Sequence, residues 1–232
     1  HPLQIKFAKE LAKTGKPIIL ILNMGRPRLI TEIAPLMSAI VNIYLPGNFG
    51  ADALADIISG DVNPSGKLPY TYPAYPNSLS TYYYKPSEVQ NNAQGAYNYV
   101  GEVNNLFDFG FGLSYTDFEI SNIEFMKDTI SISDTISISL DVKNIGDMDG
   151  FETIQVYSSD LYASISPDNK RLRTFKKVFL KAKESTNISF KIPVKELSFV
   201  NIENNYVVET GYFKIHIGNS SVDINSYKLI VD

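Results

Sequence analysis

The second half of the chain alternates apolar and polar residues with a period of two. Strict alternation is typical of strands that bury one face. After a first run over 130–142, similar runs recur at 153–157, 175–180, 187–192 and 212–217, with turn residues between them. About seven short strands at hairpin spacing predict an all-β, two-sheet antiparallel sandwich over residues 117–232. The first of these runs consists of Ile130, Ile132, Ile136, Ile138, Leu140 and Val142.

Residues 1–75 follow another pattern, in which helical periodicity and continuous aliphatic runs take turns. Unbroken Ile and Leu residues are typical of parallel strands buried on both faces, so the order of elements predicts an α/β layer. Because only two strands are expected, we also expect one face of this layer to lack a cover. The predicted elements are a helix carrying Leu3, Phe7 and Leu11, a strand at 18–22, a helix after Pro27 carrying Leu29, Ile30 and Ile33, a strand at 39–45, and a helix at 51–59 that ends at Gly60.

Residues 76–116 lose both periodicities and are predicted to be a linker with a long surface loop. The loop carries three consecutive tyrosines, Tyr82, Tyr83 and Tyr84. A tyrosine ring has a flat apolar face and a polar tip, which suits stacking on a sugar at the rim of a pocket, and we treat the three as weak rim candidates. Buried rings that pin the loop to a neighbouring domain would give the same pattern, so both interpretations stay open. In an extended chain Tyr83 would point away from the other two.

The composition narrows the possible chemistry. The chain has no cysteine and only two histidines, His1 and His216, so thiolate chemistry is excluded and a histidine-based metal site or triad is not expected. The net charge of −4 lacks the basic excess that nucleic acid or an anionic membrane surface would require. The longest aliphatic run has five residues, too short to cross a bilayer. The composition leaves either carboxylate chemistry or no catalytic chemistry at all.

Three further patterns carry less weight. Gly60, Gly66 and Lys67 resemble a phosphate-binding loop, but their spacing is one residue too long and Leu68 replaces the magnesium-binding hydroxyl. The triplet 108–110 spells a kinase magnesium motif without the other kinase motifs, which indicates coincidence. Basic residues from 170 to 183 alternate with apolar ones, which is typical of a solvated strand face.

Several consecutive segments resemble the C-terminal half of glycoside hydrolase family 3, the β-glucosidase and β-xylosidase family. In the first half these are GKP at 15–17, GRP at 25–27, LPG at 45–47 and SGDVNPSGKLPYTYP at 59–73. FDFGFGLSYT at 107–116 then resembles the entry into the last domain of that family. Beyond it, LRTF at 172–175 and GYFKIHIGNSS at 211–221 resemble its fibronectin type III-like module.

The resemblance implies a fold and an activity. Residues 1–75 would be the C-terminal part of the family's α/β sandwich domain, and residues 117–232 a fibronectin type III-like domain. The family's retaining enzymes use two carboxyl groups about 5–5.5 Å apart on a β-linked glycoside. The resemblance places the nucleophilic Asp on an N-terminal barrel domain and the acid/base Glu just upstream, so no catalytic residue is assigned here and residues 1–232 alone are predicted to be inactive.

Two hypotheses about function follow. In the first, the chain is the C-terminal piece of a retaining β-glycosidase acting on terminal β-linked glucose or xylose, with the barrel domain or chain as its partner. In the second, it is a non-catalytic module that binds carbohydrate or protein. No nucleic acid, membrane, metal or cofactor enters either hypothesis, and the sequence does not indicate the compartment.

Overall fold

The computed structural model of the protein describes residues 1–78, 81–86 and 105–232. These residues form two compact units, an α/β unit of 1–62, 72–78 and 105–107, and a sandwich unit of 63–71, 81–86 and 108–232. The predicted domain 1–75 includes the segment 63–71, whereas in the structure this segment belongs to the sandwich unit, because it makes its contacts with the sandwich strands. The predicted linker 76–116 contributes to both units, and its residues 79–80 and 87–104 lie outside the described residues.

The α/β unit contains a short parallel pair of strands and two helices. Pro2 occupies the first turn of its first helix, where the missing N–H costs nothing, and the His1 side chain accepts a hydrogen bond from the Leu3 N–H. Gly60 ends the second helix in a left-handed conformation with φ of 87°. The elements are α1 at Pro2–Ala12, β1 at Ile19–Leu22, a 3-10 helix at Ala34–Leu36, β2 at Ala39–Asn42, α2 at Gly50–Ser59, β3 at Tyr72–Pro73 and β4 at Asn105–Phe107. β1 pairs with β2 in parallel and β3 with β4 antiparallel.

The helix predicted after Pro27 is wrong. Only the 3-10 turn at Ala34–Leu36 forms there, although Ile30 and Ile33 are buried as their pattern indicated. Pro35 has no N–H to continue a helix, and the β-branched residues before it disfavour one. The second strand stops at Asn42 rather than residue 45, because Tyr44 takes a φ of 50° that a strand cannot hold.

The α/β unit leaves apolar side chains exposed. α1 buries none of its residues, and Leu3 and Phe7 are 67% and 64% exposed. Ile19 and Ile21 of β1 are also exposed, so the prediction that this strand is buried on both faces is wrong. The expectation of an uncovered face agrees with these exposures.

The sandwich unit consists of antiparallel sheets, as the period of two predicted. Its strands are β5 at Phe118–Phe125, β6 at Thr129–Ile130, β7 at Thr135–Asn144, β8 at Gly150–Asp160, β9 at Arg171–Leu180, β10 at Ser185–Pro193, β11 at Phe199–Val200, β12 at Tyr206–Val207, β13 at Gly211–Gly218 and β14 at Ile224–Val231. One sheet has the order β10-β7-β5 and the other β6-β14-β13-β8-β9, where the β6–β14 pair alone is parallel. β11 and β12 form a hairpin.

The core of the sandwich unit lies between these two sheets. β7 buries every second residue, from Ile136 to Val142, and Ile154, Ile215 and Leu229 from the other sheet are fully buried in the same cluster. The alternating run 130–142 is two strands rather than one, because a turn closes where the Asp134 N–H bonds to the Ser131 carbonyl. The alternation therefore predicted the core face of the sandwich correctly.

Candidate functional site: the motif segments and the tyrosine turn

The two segments with the most specific family motifs, 63–71 and 108–116, are hydrogen-bonded to each other. The Leu68 N–H donates to the Phe111 carbonyl at 2.8 Å, and the Gly110 N–H donates to the Leu68 carbonyl at 2.8 Å. A Cβ on Gly112 would lie 2.0 Å from the Gly66 carbonyl oxygen, so only glycine fits there. The lysine of the phosphate-loop pattern, Lys67, forms an ion pair of 2.9 Å with Glu152 and donates to the Gly112 carbonyl at 2.8 Å.

Asn63 ties the same segments to the sandwich. Its Oδ1 accepts from the Ser114 hydroxyl at 2.9 Å and from the Tyr115 N–H at 2.8 Å, while its Nδ2 donates to the Asp149 carbonyl at 3.0 Å. A Cβ on Gly150 would meet the Asn63 amide nitrogen at 2.7 Å. These contacts show the motif residues as parts of the packing of the sandwich unit.

Asn144 has a similar buried role. Its Oδ1 accepts from the Thr116 hydroxyl at 2.7 Å and the Gly146 N–H at 3.1 Å. Its Nδ2 donates to the Met148 carbonyl at 2.8 Å and the Leu180 carbonyl at 3.3 Å. The fully buried amide is therefore satisfied on both sides, as a buried polar group must be.

Tyr82, Tyr83 and Tyr84 form a turn instead of an extended stretch. The Tyr84 N–H bonds to the Thr81 carbonyl at 3.3 Å, and the Tyr82 and Tyr83 rings meet edge to face with centroids 5.2 Å apart. The expectation that Tyr83 points away from its neighbours is therefore wrong, because the turn gathers side chains that an extended strand would separate. A role of the three rings at a sugar-binding rim stays a prediction.

The Tyr82 ring lies against other aromatic rings. It stacks on Phe109 with centroids 4.2 Å apart and meets the buried Tyr157 ring edge-on at 5.8 Å. Its hydroxyl accepts from the Leu172 N–H at 3.4 Å. Burial raises the pKa of Tyr157 well above its usual range, with a smaller contribution from Tyr82, so this phenol stays protonated. Tyr82 is thus positioned to hold the turn on the sandwich.

The Tyr83 ring has a cation above it. The Arg171 guanidinium lies 4.6 Å from the ring centroid, a cation–π contact. Arg171 Nε also donates to Asp168, and Lys85 reaches the other oxygen of that carboxylate at 3.2 Å. No local sequence pattern indicates this group of side chains, because its members come from separate loops and a strand.

His216 is buried between two serines. Its Nε2 lies 2.7 Å from the Ser159 hydroxyl and its Nδ1 2.7 Å from the Ser226 hydroxyl. Because Ser159 donates its one proton to the Asn169 carbonyl, Nε2 carries the ring proton and Nδ1 accepts from Ser226. Burial, helped by nearby lysines, lowers the pKa of His216 from 6.5 to about 4, so the ring is neutral at pH 7.

The described residues contain no group of three or more His, Asp or Glu side chains that could hold a metal ion. No helix among them is long and apolar enough to cross a membrane.

Comparison with known proteins defines the class of the chain. Residues 2–115 match the glycosyl hydrolase family 3 C-terminal domain, and residues 152–221 match the fibronectin type III-like domain. The chain is therefore an α/β domain followed by a β-sandwich, and it belongs to glycosyl hydrolase family 3.

Relatives and solved structures give the same assignment. The chain is 36% identical over 221 residues to a beta-xylosidase of Formosa agariphila and 34% identical over 228 residues to the periplasmic beta-glucosidase of Salmonella typhimurium. Each match covers 95% of this chain and 30% of the relative's length. A Listeria innocua beta-glucosidase solved with isofagomine superposes with a TM-score of 0.89 at 31% identity, covering 98% of this chain and 33% of that one. The chain thus spans about a third of the length of the proteins it matches.

Proposed function

We propose that the chain is the C-terminal part of a retaining β-glycosidase that removes terminal β-linked glucose or xylose from oligosaccharides and glycosides. The relatives described as beta-glucosidases and beta-xylosidases support this activity. The observation that carries the proposal is the match of both family domains along one chain, in the order and over the segments where the motifs occur.

The chemistry of the proposed reaction needs two carboxyl groups. One attacks the anomeric carbon and displaces the leaving oxygen, while the other protonates that oxygen and then activates the water that hydrolyses the glycosyl intermediate. No Asp or Glu of residues 1–232 matches either role, so we assign the nucleophilic Asp and the acid/base Glu to parts of the enzyme outside these residues. This chain would give the complete enzyme rigid support. The segments 63–71 and 108–116 are packed and hydrogen-bonded to each other, so they can keep neighbouring parts of the enzyme in fixed positions.

The test is an assay of two proteins on nitrophenyl β-glucoside and nitrophenyl β-xyloside. One is residues 1–232, and the other extends them by the coding region that precedes them in the gene. We expect turnover only by the extended protein. If that protein is folded and inactive on every aryl glycoside, the glycosidase proposal fails and the alternative of a non-catalytic binding module gains. If residues 1–232 alone are active, the placement of the carboxylates is wrong.

A further inference from the structure

A cleft of about 470 Å³ opens in the sandwich unit beside the tyrosine turn. Its walls come from the end of β8, the segment 165–168, the start of β9 and the β11–β12 hairpin. Ligand-binding clefts have volumes of about 300–1,000 Å³, so this one can take a small molecule. Among the described residues that line it, three are cationic, Lys85, Arg171 and Arg173, and two are carboxylates, Asp160 and Asp168.

Arg173 is the cation of this cleft that forms no direct ion pair with a carboxylate among the described residues. It is half-buried, its Nε donates to the Ser158 hydroxyl at 2.7 Å, and one Nη1 proton goes to the Glu196 carbonyl. Burial, followed by the like charge of Arg171, lowers the pKa of the Arg173 guanidinium, while Tyr82, Asp168 and Glu196 act in the opposite direction.

The two carboxylates that line the cleft act on Arg173 only at longer range. Asp168 is already shared between Lys85 and Arg171, at 3.2 Å and 2.5 Å. Asp160 accepts from the Tyr162 N–H at 3.2 Å instead. Arg173 therefore keeps three of its five N–H groups free of protein acceptors among the described residues. A carboxylate can bind a guanidinium of this kind through two parallel hydrogen bonds.

The rest of the cleft suits a ring with hydroxyl groups. Tyr206 of the hairpin is 80% exposed, so its ring face is available for stacking at the mouth of the cleft. Ile165, Pro167 and Leu197 provide apolar surface, while Ser166, Ser198 and Asp160 provide hydroxyl and carboxylate groups that can bond to sugar hydroxyls.

We propose that this cleft binds a uronic acid residue, a sugar ring whose carboxylate pairs with Arg173 and whose face stacks on Tyr206. The site goes beyond the glycosidase proposal, since it takes a charged sugar and uses none of the residues to which that proposal assigns chemistry. Its success or failure in a binding assay is independent of hydrolytic activity.

The test is calorimetric titration of the full 232-residue chain with methyl β-glucuronide, methyl β-glucoside and benzoate. We expect the glucuronide to bind at least about tenfold more tightly than either of the others, because a hydrogen-bonded charge pair separates it from the glucoside and the sugar hydroxyls separate it from benzoate. Equal affinity for glucuronide and glucoside would overturn the carboxylate pairing. Equal affinity for glucuronide and benzoate would overturn the sugar assignment.

Variants locate the site. Arg173→Gln should weaken glucuronide binding at least about tenfold and leave glucoside binding unchanged. Lys191→Gln removes the same charge from an exposed position on β10 and should have no effect. Because Arg173 also bonds to Ser158 and Glu196, Tyr206→Ala provides a second test at an exposed side chain, and it should weaken glucuronide binding about threefold to tenfold. The proposal is wrong if Arg173→Gln behaves like Lys191→Gln, or if Tyr206→Ala leaves the affinity unchanged.

Discussion

Replacing Tyr82 by Ala should destabilise the sandwich unit strongly, whereas the same change at Tyr83 should not. Tyr82 packs on two rings outside its own turn, Phe109 and Tyr157, and each such pair is worth about 0.5–1.5 kcal/mol. Its half-buried ring also loses part of the about 3–5 kcal/mol that fully buried aromatic residues cost on truncation. Together these give about 3 kcal/mol for Tyr82→Ala.

The matched change at Tyr83 removes much less. Its ring is 39% exposed, and outside the turn it contacts the Arg171 guanidinium in a cation–π pair. An exposed pair of this kind is worth about 0.5–1 kcal/mol, so Tyr83→Ala should cost about 1 kcal/mol. Tyr82→Phe keeps the stacking and loses only the long hydrogen bond from the Leu172 N–H, which should also cost about 1 kcal/mol or less.

Urea denaturation of the three variants and the parent chain, monitored by circular dichroism, measures these differences in the free energy of unfolding. The slope of that free energy against urea concentration should be the same in all four proteins. Tyr82 does not hold the turn on the sandwich if Tyr82→Ala costs less than about 1 kcal/mol. Equal destabilisation by the two alanine variants would also contradict this role, since the structure gives their rings different surroundings. If Tyr83→Ala instead proves stable but raises the Michaelis constant of the complete enzyme, the sugar-rim hypothesis gains support at that ring.

Three other predictions test the buried polar groups and the motif segments. Asn144→Ala removes four hydrogen bonds, two of them buried and two half-buried, and should lower the free energy of unfolding by about 3 kcal/mol in urea, whereas Asn225→Ala, at an exposed strand position, should change it by less than about 0.5 kcal/mol. The pKa of His216 falls from 6.5 unfolded to about 4 folded, so the unfolded chain takes up a proton first and stability should fall as pH drops from 6.5 to 4. His216→Gln should flatten that part of the stability profile, and an unchanged slope would contradict the neutral buried ring. Gly112→Ala should lower the melting temperature because its Cβ meets the Gly66 carbonyl, while Gly66→Ala, with open space around its Cβ, should not.

The sandwich could be predicted from sequence because its signal is local. In β7, alternation places each second side chain in the core whatever the partner strand is, and the structure buries Ile136, Ile138, Leu140 and Val142 accordingly. The order of strands in the two sheets has no such signal. It depends on which distant strands pair, as β13 does with both β8 and β14.

The α/β unit shows where local signals compete. Leu29, Ile30 and Ile33 have helical spacing, and two of them are indeed buried. The segment nevertheless folds as turns, in which the Ile33 and Ala34 N–H groups both bond to the Ile30 carbonyl, and the Tyr72 hydroxyl donates to the Arg28 carbonyl at 2.7 Å. Apolar spacing therefore identified the buried side chains but not the backbone, since Pro35 interrupts the helix and tertiary hydrogen bonds satisfy the turns.

The tyrosine turn and the cleft at Arg173 depend on contacts that no local pattern encodes. Tyr82 meets Phe109 and Tyr157 from distant parts of the chain, and Arg173 was predicted to lie on a solvated strand face. The alternation of basic and apolar residues in β9 predicts only which face of the strand each side chain is on, and it carries no information about the loops that pack beside the strand. The loops beside β9 half-bury that guanidinium, so its environment is a property of the assembled unit.

Lys67 shows why a motif can identify a family without revealing what its residues do. Its surroundings in the sequence suggested a phosphate loop, yet the side chain pairs with Glu152, which is only 7% exposed. A buried ion pair is tolerable only when both members find further hydrogen bonds, and here the Gly112 carbonyl accepts from Lys67 while the Thr153 N–H donates to Glu152. Removing one member would leave the other charge buried and unpaired. The chemistry of Lys67 is therefore fixed by a carboxylate far along the chain, and that carboxylate is what makes the lysine necessary to the fold.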